Sequence, residues 1–282
     1  MNVSVLTLVK NRPAHLAQLV EGLRRATIPP RELIIVDMSD PPESPPRTEF
    51  PTVVVRLETA GLPLAAARNL AASHARSDSL LFLDVDCIPM ADLGRRMAET
   101  LSETDKLICA PVLYLAPDEA RGGWSEAALL ASGVPHPVRN FPPEGLREES
   151  NIGLFWSLAF GIRRSRFEAV GGFDERFTGY GAEDTDFGMR VHASGAPLAF
   201  MGGAGAFHQH HAAFDPPLQH FDDIIRNALI YKRKWGVWPM EGWLAAFARM
   251  GLIRLQETGI ERLRDPMAAE IRAARKPAAA RF

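Results

Sequence analysis

Short apolar runs punctuate the first half of the chain, several of them closing on polar residues before a helix-period stretch begins. Residues 3–9 are β-branched and leucine-rich and run into Lys10-Asn11-Arg12. Pro13 suits the first turn of a helix reaching about residue 26, with Leu16, Leu19, Val20 and Leu23 on its apolar face. Residues 32–37 predict a second strand ending in Asp37, the proline-rich 40–51 a loop, and 52–57 a third strand. Gly61-Leu62-Pro63 opens a helix over 64–74, and Leu80-Leu81-Phe82-Leu83 is a buried central strand, too short for a buried helix. Strands alternating with helices predict an α/β fold with a mostly parallel sheet and right-handed crossovers.

The second half is less regular. A helix is expected over 91–101 and one strand over 107–115. Between 116 and 149 the periodicity fails, and prolines, glycines and Trp124 predict an irregular insertion with a short helix near 126–131, the kind of loop that serves as a lid or binding loop. Order resumes over 152–162, followed by a short helix at 163–170, a helix from Glu183 to about residue 194, and a strand at 197–201. Beyond Pro217 the chain reads as helical to the end, interrupted at 236–239 and at Pro266, with the last residues expected to fray.

Composition narrows the classes. The 282 residues are 46% hydrophobic, ample for a core, and a net charge of −2 points away from nucleic acid. Cys87 and Cys109 form no disulfide framework or metal-ligand spacing, so a reducing cytoplasm is expected, with Cys87 a small apolar filler or a reactive thiol. No signal peptide is visible at the start given, and no uncharged apolar run reaches the ~20 residues of a membrane span.

Four groups of residues carry candidate chemistry. Asp84 and Asp86 end the central strand, and side chains two apart in an extended chain point the same way, so both are either solvated acids or partners of a hard divalent cation such as Mg²⁺ or Mn²⁺. Glu183, Asp184 and Asp186 open a helix, where acids complement the dipole, but the flanking Gly179, Tyr180 and Gly181 add a close-approach turn and an aromatic suited to a sugar. His208 and His210 share a face if the strand continues, with His211 facing away, and imidazoles suit a borderline metal. Lys10, Arg12 and Arg68 fall at the ligand edge of the sheet, where a diphosphate needs positive charge.

In their order, V-K-N-R at 9–12, V-D at 36–37, A-R-N at 67–69, D-V-D-C-I-P-M at 84–90, G-Y-G-A-E-D-T-D at 179–186 and H-Q-H at 208–210 resemble the GT-A fold glycosyltransferases of the family-2 type. The likeness covers about residues 1–211 and is greatest to the β-1,4-galactosyltransferase and polypeptide N-acetylgalactosaminyltransferase branch. It implies a catalytic domain over 1–214, with a donor half to about 115 and an acceptor half beyond, and a helical extension over 215–282. It also implies that Asp37 contacts the nucleotide base and that Arg12 and Arg68, with Lys10 and Asn69, hold the nucleotide or its phosphates. Asp86, helped by Asp84, would hold Mn²⁺ or Mg²⁺ on the donor diphosphate, with His208 or His210 a further ligand. Asp184 would be the catalytic base, Glu183 would orient a sugar, and Tyr180 and Trp156 would face the acceptor. Tyr180 stands where the galactosyltransferases place tryptophan, and Ala182 replaces a glycine, which leaves the acceptor open.

The resulting expectation is a metal-dependent inverting glycosyltransferase that moves a UDP-hexose sugar to a hydroxyl on a glycan or lipid-linked glycan. A haloacid-dehalogenase-like phosphohydrolase also ends a strand in D-x-D but needs a helper lysine, and Lys106 is the only lysine between Lys10 and Lys232. A non-catalytic sugar-nucleotide or glycan-binding protein is the remaining alternative. The apolar and basic residues of 241–273 predict a helix packed on the domain or on a second subunit, or a membrane-surface contact at the inner face of the membrane.

Overall fold

The computed structural model describes residues 2–59 and 61–281. In chain order it begins β1 (Val3–Val9), α1 (Pro13–Arg24), β2 (Glu32–Asp37), β3 (Thr52–Arg56), α2 (Leu64–His74) and β4 (Ser79–Leu83). It continues β5 (Cys87–Pro89), α3 (Leu93–Glu103), β6 (Leu107–Cys109), β7 (Val112–Tyr114), α4 (Glu126–Ser132), β8 (Val134–Pro135) and β9 (Leu146–Glu149). Then come β10 (Ala159–Arg163), α5 (Arg164–Ala169), α6 (Glu183–Ala193), β11 (Leu198–Met201) and β12 (Ala206–His208). The chain closes with α7 (Phe221–Trp235), α8 (Glu241–Arg249), β13 (Ile253–Leu255), β14 (Ile260–Arg262) and α9 (Ala268–Ala273).

Eight described strands form the main sheet in the order β3-β2-β1-β4-β10-β6-β11-β9. The first four are parallel; β10 is antiparallel to both β4 and β6, and β9 is antiparallel to β11. Every residue of β1 and β2 is buried, which suits their mostly apolar runs, and the polar Ser4 and Glu32 pair with each other through Ser4 Oγ donating to Glu32 Oε1 at 2.5 Å. One face packs Leu16, Leu19 and Leu23 of α1 and Leu93 and Met97 of α3. The other packs the alanines of α2 with Phe167 of α5 and Phe187 and Val191 of α6. The alanines bring α2 close to the sheet, and this sets Arg68 beside the end of β4.

Three expectations are corrected. The strand over 107–115 is two strands in different sheets, because the chain turns at Pro111, which has no N–H to donate, while β7 joins a second sheet of order β5-β12-β7-β8. The 116–149 insertion holds the short helix expected there, as α4, but its end is a strand and not irregular, because β9 pairs with β11 at the sheet edge. The helix over 241–273 stops at Arg249. Gly251 adopts φ +67°, and Leu252 N donates to Phe247 O and Gly251 N to Ala248 O, each at 3.0 Å. That is a Schellman stop signalled by glycine, after which β13 and β14 form an antiparallel pair.

The apolar residues of α8 and β13 face inward in part, while Leu255, Leu263 and Met267 stay exposed. Leu244, Phe247, Leu252 and Ile253 pack with Leu218, Phe221, Ile224 and Ala228 in one buried cluster. Among the described residues, no helix is long and apolar enough to cross a membrane. The final segment does not fray through residue 281. Asp215 N donates to Ala274 O at 2.8 Å, Lys276 N to Ala213 O at 2.9 Å, and Arg281 Nη1 to Ser132 O at 2.7 Å.

Candidate active site

Two connected cavities open at the carboxyl end of β1 and β4, the edge where open α/β sheets bind ligands. The smaller, about 360 Å³, is lined by Lys10, Arg12, Asp86, His208 and His211. The larger, about 830 Å³, is lined by Trp156, Glu183, Asp184 and Trp243, among others. Arg68, Asp84, Tyr114 and Tyr180 border both, so the two are compartments of one cleft.

In the smaller compartment, β4 ends at Leu83 and the chain turns through Asp84–Asp86 before β5 starts in the second sheet. His208 on β12 lies opposite Cys87 in that sheet, which puts the histidine beside the acids. Asp86, His208 and His211 offer ligand atoms that all lie within 4.8 Å of one another. His208 Nε2 is 3.6 Å from Asp86 Oδ1, and His211 Nε2 is 3.4 Å from Asp86 Oδ2. Strand alternation would have paired His208 with His210, but β12 ends at His208, so the period of two does not extend. His210 stands outside this group, with its carbonyl 3.4 Å from His15 Nε2. Burial pushes the His208 imidazole down to about 4, so it stays neutral with a lone pair to offer. Arg12 Nη1 donates to Asp86 Oδ2 at 2.7 Å, on the same oxygen that His211 approaches.

Asp84 stands apart from that group and faces Arg68 Nη2 at 3.4 Å. Burial raises its pKa, with the nearby Asp86 charge adding to the shift and Arg68 opposing it. Cys87 is fully buried, and burial first, then both aspartates, push its thiol far above the usual range; it is a filler and not a nucleophile. Lys10 Nζ donates to Gly61 O.

Two residues of the expected donor set have their polar groups engaged within the protein. Asp37 is 1% exposed and accepts from the Ser39 and Glu43 amides, each at 2.9 Å, and from Arg56 at 3.0 Å. It shapes the loop after β2, whose Met38 lines the smaller compartment. Asn69 Nδ2 donates to Phe173 O at 2.9 Å and to Glu175 at 2.8 Å, while Phe173 N donates back to Asn69 Oδ1 at 2.7 Å. It clamps the segment that leads to the second acidic cluster.

That cluster divides by role. Glu183 is 6% exposed; its Oε1 accepts from Arg68 at 3.1 Å, and its Oε2 is buried without a hydrogen-bond partner among the described residues. Asp184 is half-buried on the larger compartment and accepts from Thr185 N at 2.7 Å. Burial, helped by the Glu183 charge and opposed by Arg68, raises it to about 6. Asp186 is fully buried and binds Arg190 at 2.9 Å and Trp235 Nε1 at 2.8 Å, so it ties α6 to α7 instead of facing the cleft. Asn227 of α7 donates to Thr178 O at 3.0 Å and to Gly181 O at 2.8 Å, holding the glycine loop.

Trp156 lines the larger compartment, backed by His136 edge-on at 4.9 Å and by Arg139 at 5.0 Å. Tyr180 stacks on His220 at 4.4 Å. Residues that the sequence reading did not assign to the site also line the cleft: His211, Tyr114, Arg281 and the 237–243 segment. The density of tryptophan in W-G-V-W-P-M-E-G-W at 235–243 was the available signal, masked by the helix break it also encodes. Lys106 pairs with Glu148 and lines neither compartment, so it is not placed to serve as a phosphohydrolase's helper lysine.

Comparison with known proteins places this geometry. Residues 146–212 match a model described as the N-terminal domain of galactosyltransferase. Validoxylamine A glucosyltransferase of Streptomyces hygroscopicus subsp. limoneus is 26% identical over 241 residues, covering 70% of this chain and 49% of that protein. Chondroitin synthase of Pasteurella multocida (strain Pm70) is 26% identical over 179 residues, covering 55% of this chain and 18% of that protein. The chain thus spans half or less of the length of these two relatives. The crystal structure of GalNAc-T7 with UDP, GalNAc and Mn²⁺ superposes with a TM-score of 0.53 at 18% identity, covering 74% of this chain and 43% of that one, which shows a shared GT-A architecture. Residues 4–171, more than half of the chain, match the model of glycosyl transferase family 2, and the chain belongs to that family.

Proposed function

We propose that the protein transfers a sugar from a nucleotide-diphosphate donor, a UDP-hexose, to a hydroxyl of a carbohydrate acceptor, with inversion at the anomeric carbon. The observation that carries this reading is the junction of the two compartments. Arg68 and Asp84 stand between a pocket rich in arginine, lysine and histidine and a pocket holding the Asp184 carboxylate. A diphosphate suits the first and a polyhydroxylated ring the second, so the reacting carbon falls between them.

In this reading Arg12 and Lys10 bind the diphosphate, and Arg68 fixes the carboxylates around the sugar. Asp86, His208 and His211 would hold a divalent cation, which when bound neutralises charge on the leaving diphosphate. The donor set fits such an ion: one carboxylate and two imidazoles, one of them kept neutral by burial. Arg12 would then exchange its hold on Asp86 for the phosphate oxygens. Asp184 accepts the proton of the acceptor hydroxyl as that oxygen bonds to the anomeric carbon. The bond from that carbon to the diphosphate breaks on the opposite face, and the electron pair leaves with the nucleoside diphosphate. Glu183 Oε2, buried and unpartnered, suits a neighbouring hydroxyl.

Incubation with a panel of UDP-sugars and Mn²⁺ tests the reading. UDP release that depends on an added glycan supports it. Release of inorganic phosphate would favour hydrolysis, and binding without turnover would leave a non-catalytic sugar-nucleotide protein.

A further inference from the structure

The larger compartment is bigger than one sugar ring requires, since about 830 Å³ lies in the upper part of the range for small-molecule sites. Its wall farther along the chain from Asp184 comes from the 237–243 segment between α7 and α8. Two indoles, Trp238 and Trp243, sit there with Glu241, and Val237 is 54% exposed. Both indoles rest one side on the cluster of Leu218 and Phe247, yet each stays partly exposed and lines the acidic cleft.

The segment is held rigidly to the glycine loop. Met240 adopts φ +49°, a conformation that side chains rarely take, at the start of α8. Its Sδ packs so closely on Gly181 that a Cβ there would lie 2.7 Å away. Trp243 stacks on Tyr180 with ring centres 5.9 Å apart. The same α7 that leads into the segment also holds the glycine loop through Asn227. The indoles and the Asp184 carboxylate therefore keep a fixed relation before any ligand arrives, which lowers the cost of ordering a second ring.

Charge decides what that ring carries. The charged residues lining the compartment are Arg68, Asp84, Glu183, Asp184 and Glu241. Arg68 is already paired with both Asp84 and Glu183. Lys232 lies 5.3 Å from the Trp238 ring, but its Nζ donates to Gly236 O and it does not line the compartment. A carboxylate-bearing ring would meet acids with no cation to spare, whereas a neutral ring stacks freely and an ammonium gains both Glu241 and the indole faces.

We propose that the 237–243 segment forms an outer acceptor subsite, in which Trp238 and Trp243 hold a second sugar ring and Glu241 selects a neutral or amine-bearing glycan over an acidic one. This rests on the transfer reading above and adds the acceptor class to it.

The test compares three acceptor series with UDP and Mn²⁺ present: chito-oligosaccharides, their deacetylated amine-bearing counterparts, and hyaluronan oligosaccharides. Binding is read by tryptophan fluorescence and checked by saturation-transfer NMR. Neutral and amine-bearing disaccharides should bind about tenfold more tightly than their monosaccharides, and hyaluronan fragments more weakly than either. Trp238→Phe should reduce that length dependence, Trp238→Ala should abolish it, and Glu241→Gln should narrow the gap between amine-bearing and acidic acceptors, all with unchanged UDP affinity. Equal or tighter binding of the acidic series, length dependence that survives in Trp238→Ala, or no binding in any series would overturn the subsite. UDP with Mn²⁺ is the control arm: its failure to bind strikes the transfer reading, while its normal binding beside a failed acceptor arm strikes the subsite alone.

Discussion

Arg68 Nη1 donates to Glu183 Oε1 across 3.1 Å, joining residues 115 apart in the chain. Its Nη2 faces Asp84 at 3.4 Å, so one guanidinium, 3% exposed, spans the end of β4 and the start of α6. A charge this buried is tolerated only when paired, and removing it strands two carboxylates. Arg68→Met should therefore lower stability by about 3–5 kcal/mol, read as a shifted urea midpoint. An unchanged midpoint would show that the pairs contribute nothing to the fold.

Asp184→Asn should reduce sugar transfer about 10²- to 10⁴-fold while donor affinity stays near that of the unmodified protein, because the amide cannot take a proton. In the proposed role Asp184 acts ionised, and burial raises it to about 6, so kcat should level off above that pH and fall as the pH drops through it. A rate profile from pH 5 to 8 checks both the direction and the midpoint. Asp186→Asn is the contrasting case: this buried acid bonds Arg190 and Trp235, so the change should lower thermal stability.

The histidines separate by one residue. His208→Ala and His211→Ala should each weaken Mn²⁺ binding in titration calorimetry, since both rings reach Asp86. His210→Ala should be close to silent, because His210 is not in that group. Strong weakening by His210→Ala alone would return the ligand role to the alternating pair.

Arg281 Nη1 donates to Tyr114 O at 3.0 Å and to Ser132 O at 2.7 Å, and Tyr114 packs 4.8 Å from the His208 ring. Arg281→Ala should release this anchor. Trypsin should then cut sooner after Arg275, measured by mass spectrometry of timed digests. Unaltered cleavage would mean that the bonds to Ala213 and Asp215 hold the segment without it.

Much of the first half of the chain was legible in the sequence for a simple reason. A strand buried on both faces is mostly apolar and a packed helix shows its own period, so Val3–Val9, Glu32–Asp37 and the helix Leu64–His74 appear in the structure with the boundaries their patterns predict. The acids at the strand end and helix start were equally local signals, as was the ordered motif set.

What the sequence could not decide depended on distant packing. Glu183, Asp184 and Asp186 look alike in one dimension. Only the approach of Arg68 from α2 and of Trp235 from α7 gives each a different partner. Alternation favoured His210, but pairing with β5 and β7 ends β12 at His208, and the following turn brings His211 to Asp86. The W-G-V-W-P-M-E-G-W stretch read as a helix break, and only the contact of Met240 with Gly181 makes it a wall of the cleft. Periodicity records which face of an element is buried, whereas the partners of a buried charge follow from how the elements meet, and tertiary packing alone decides that.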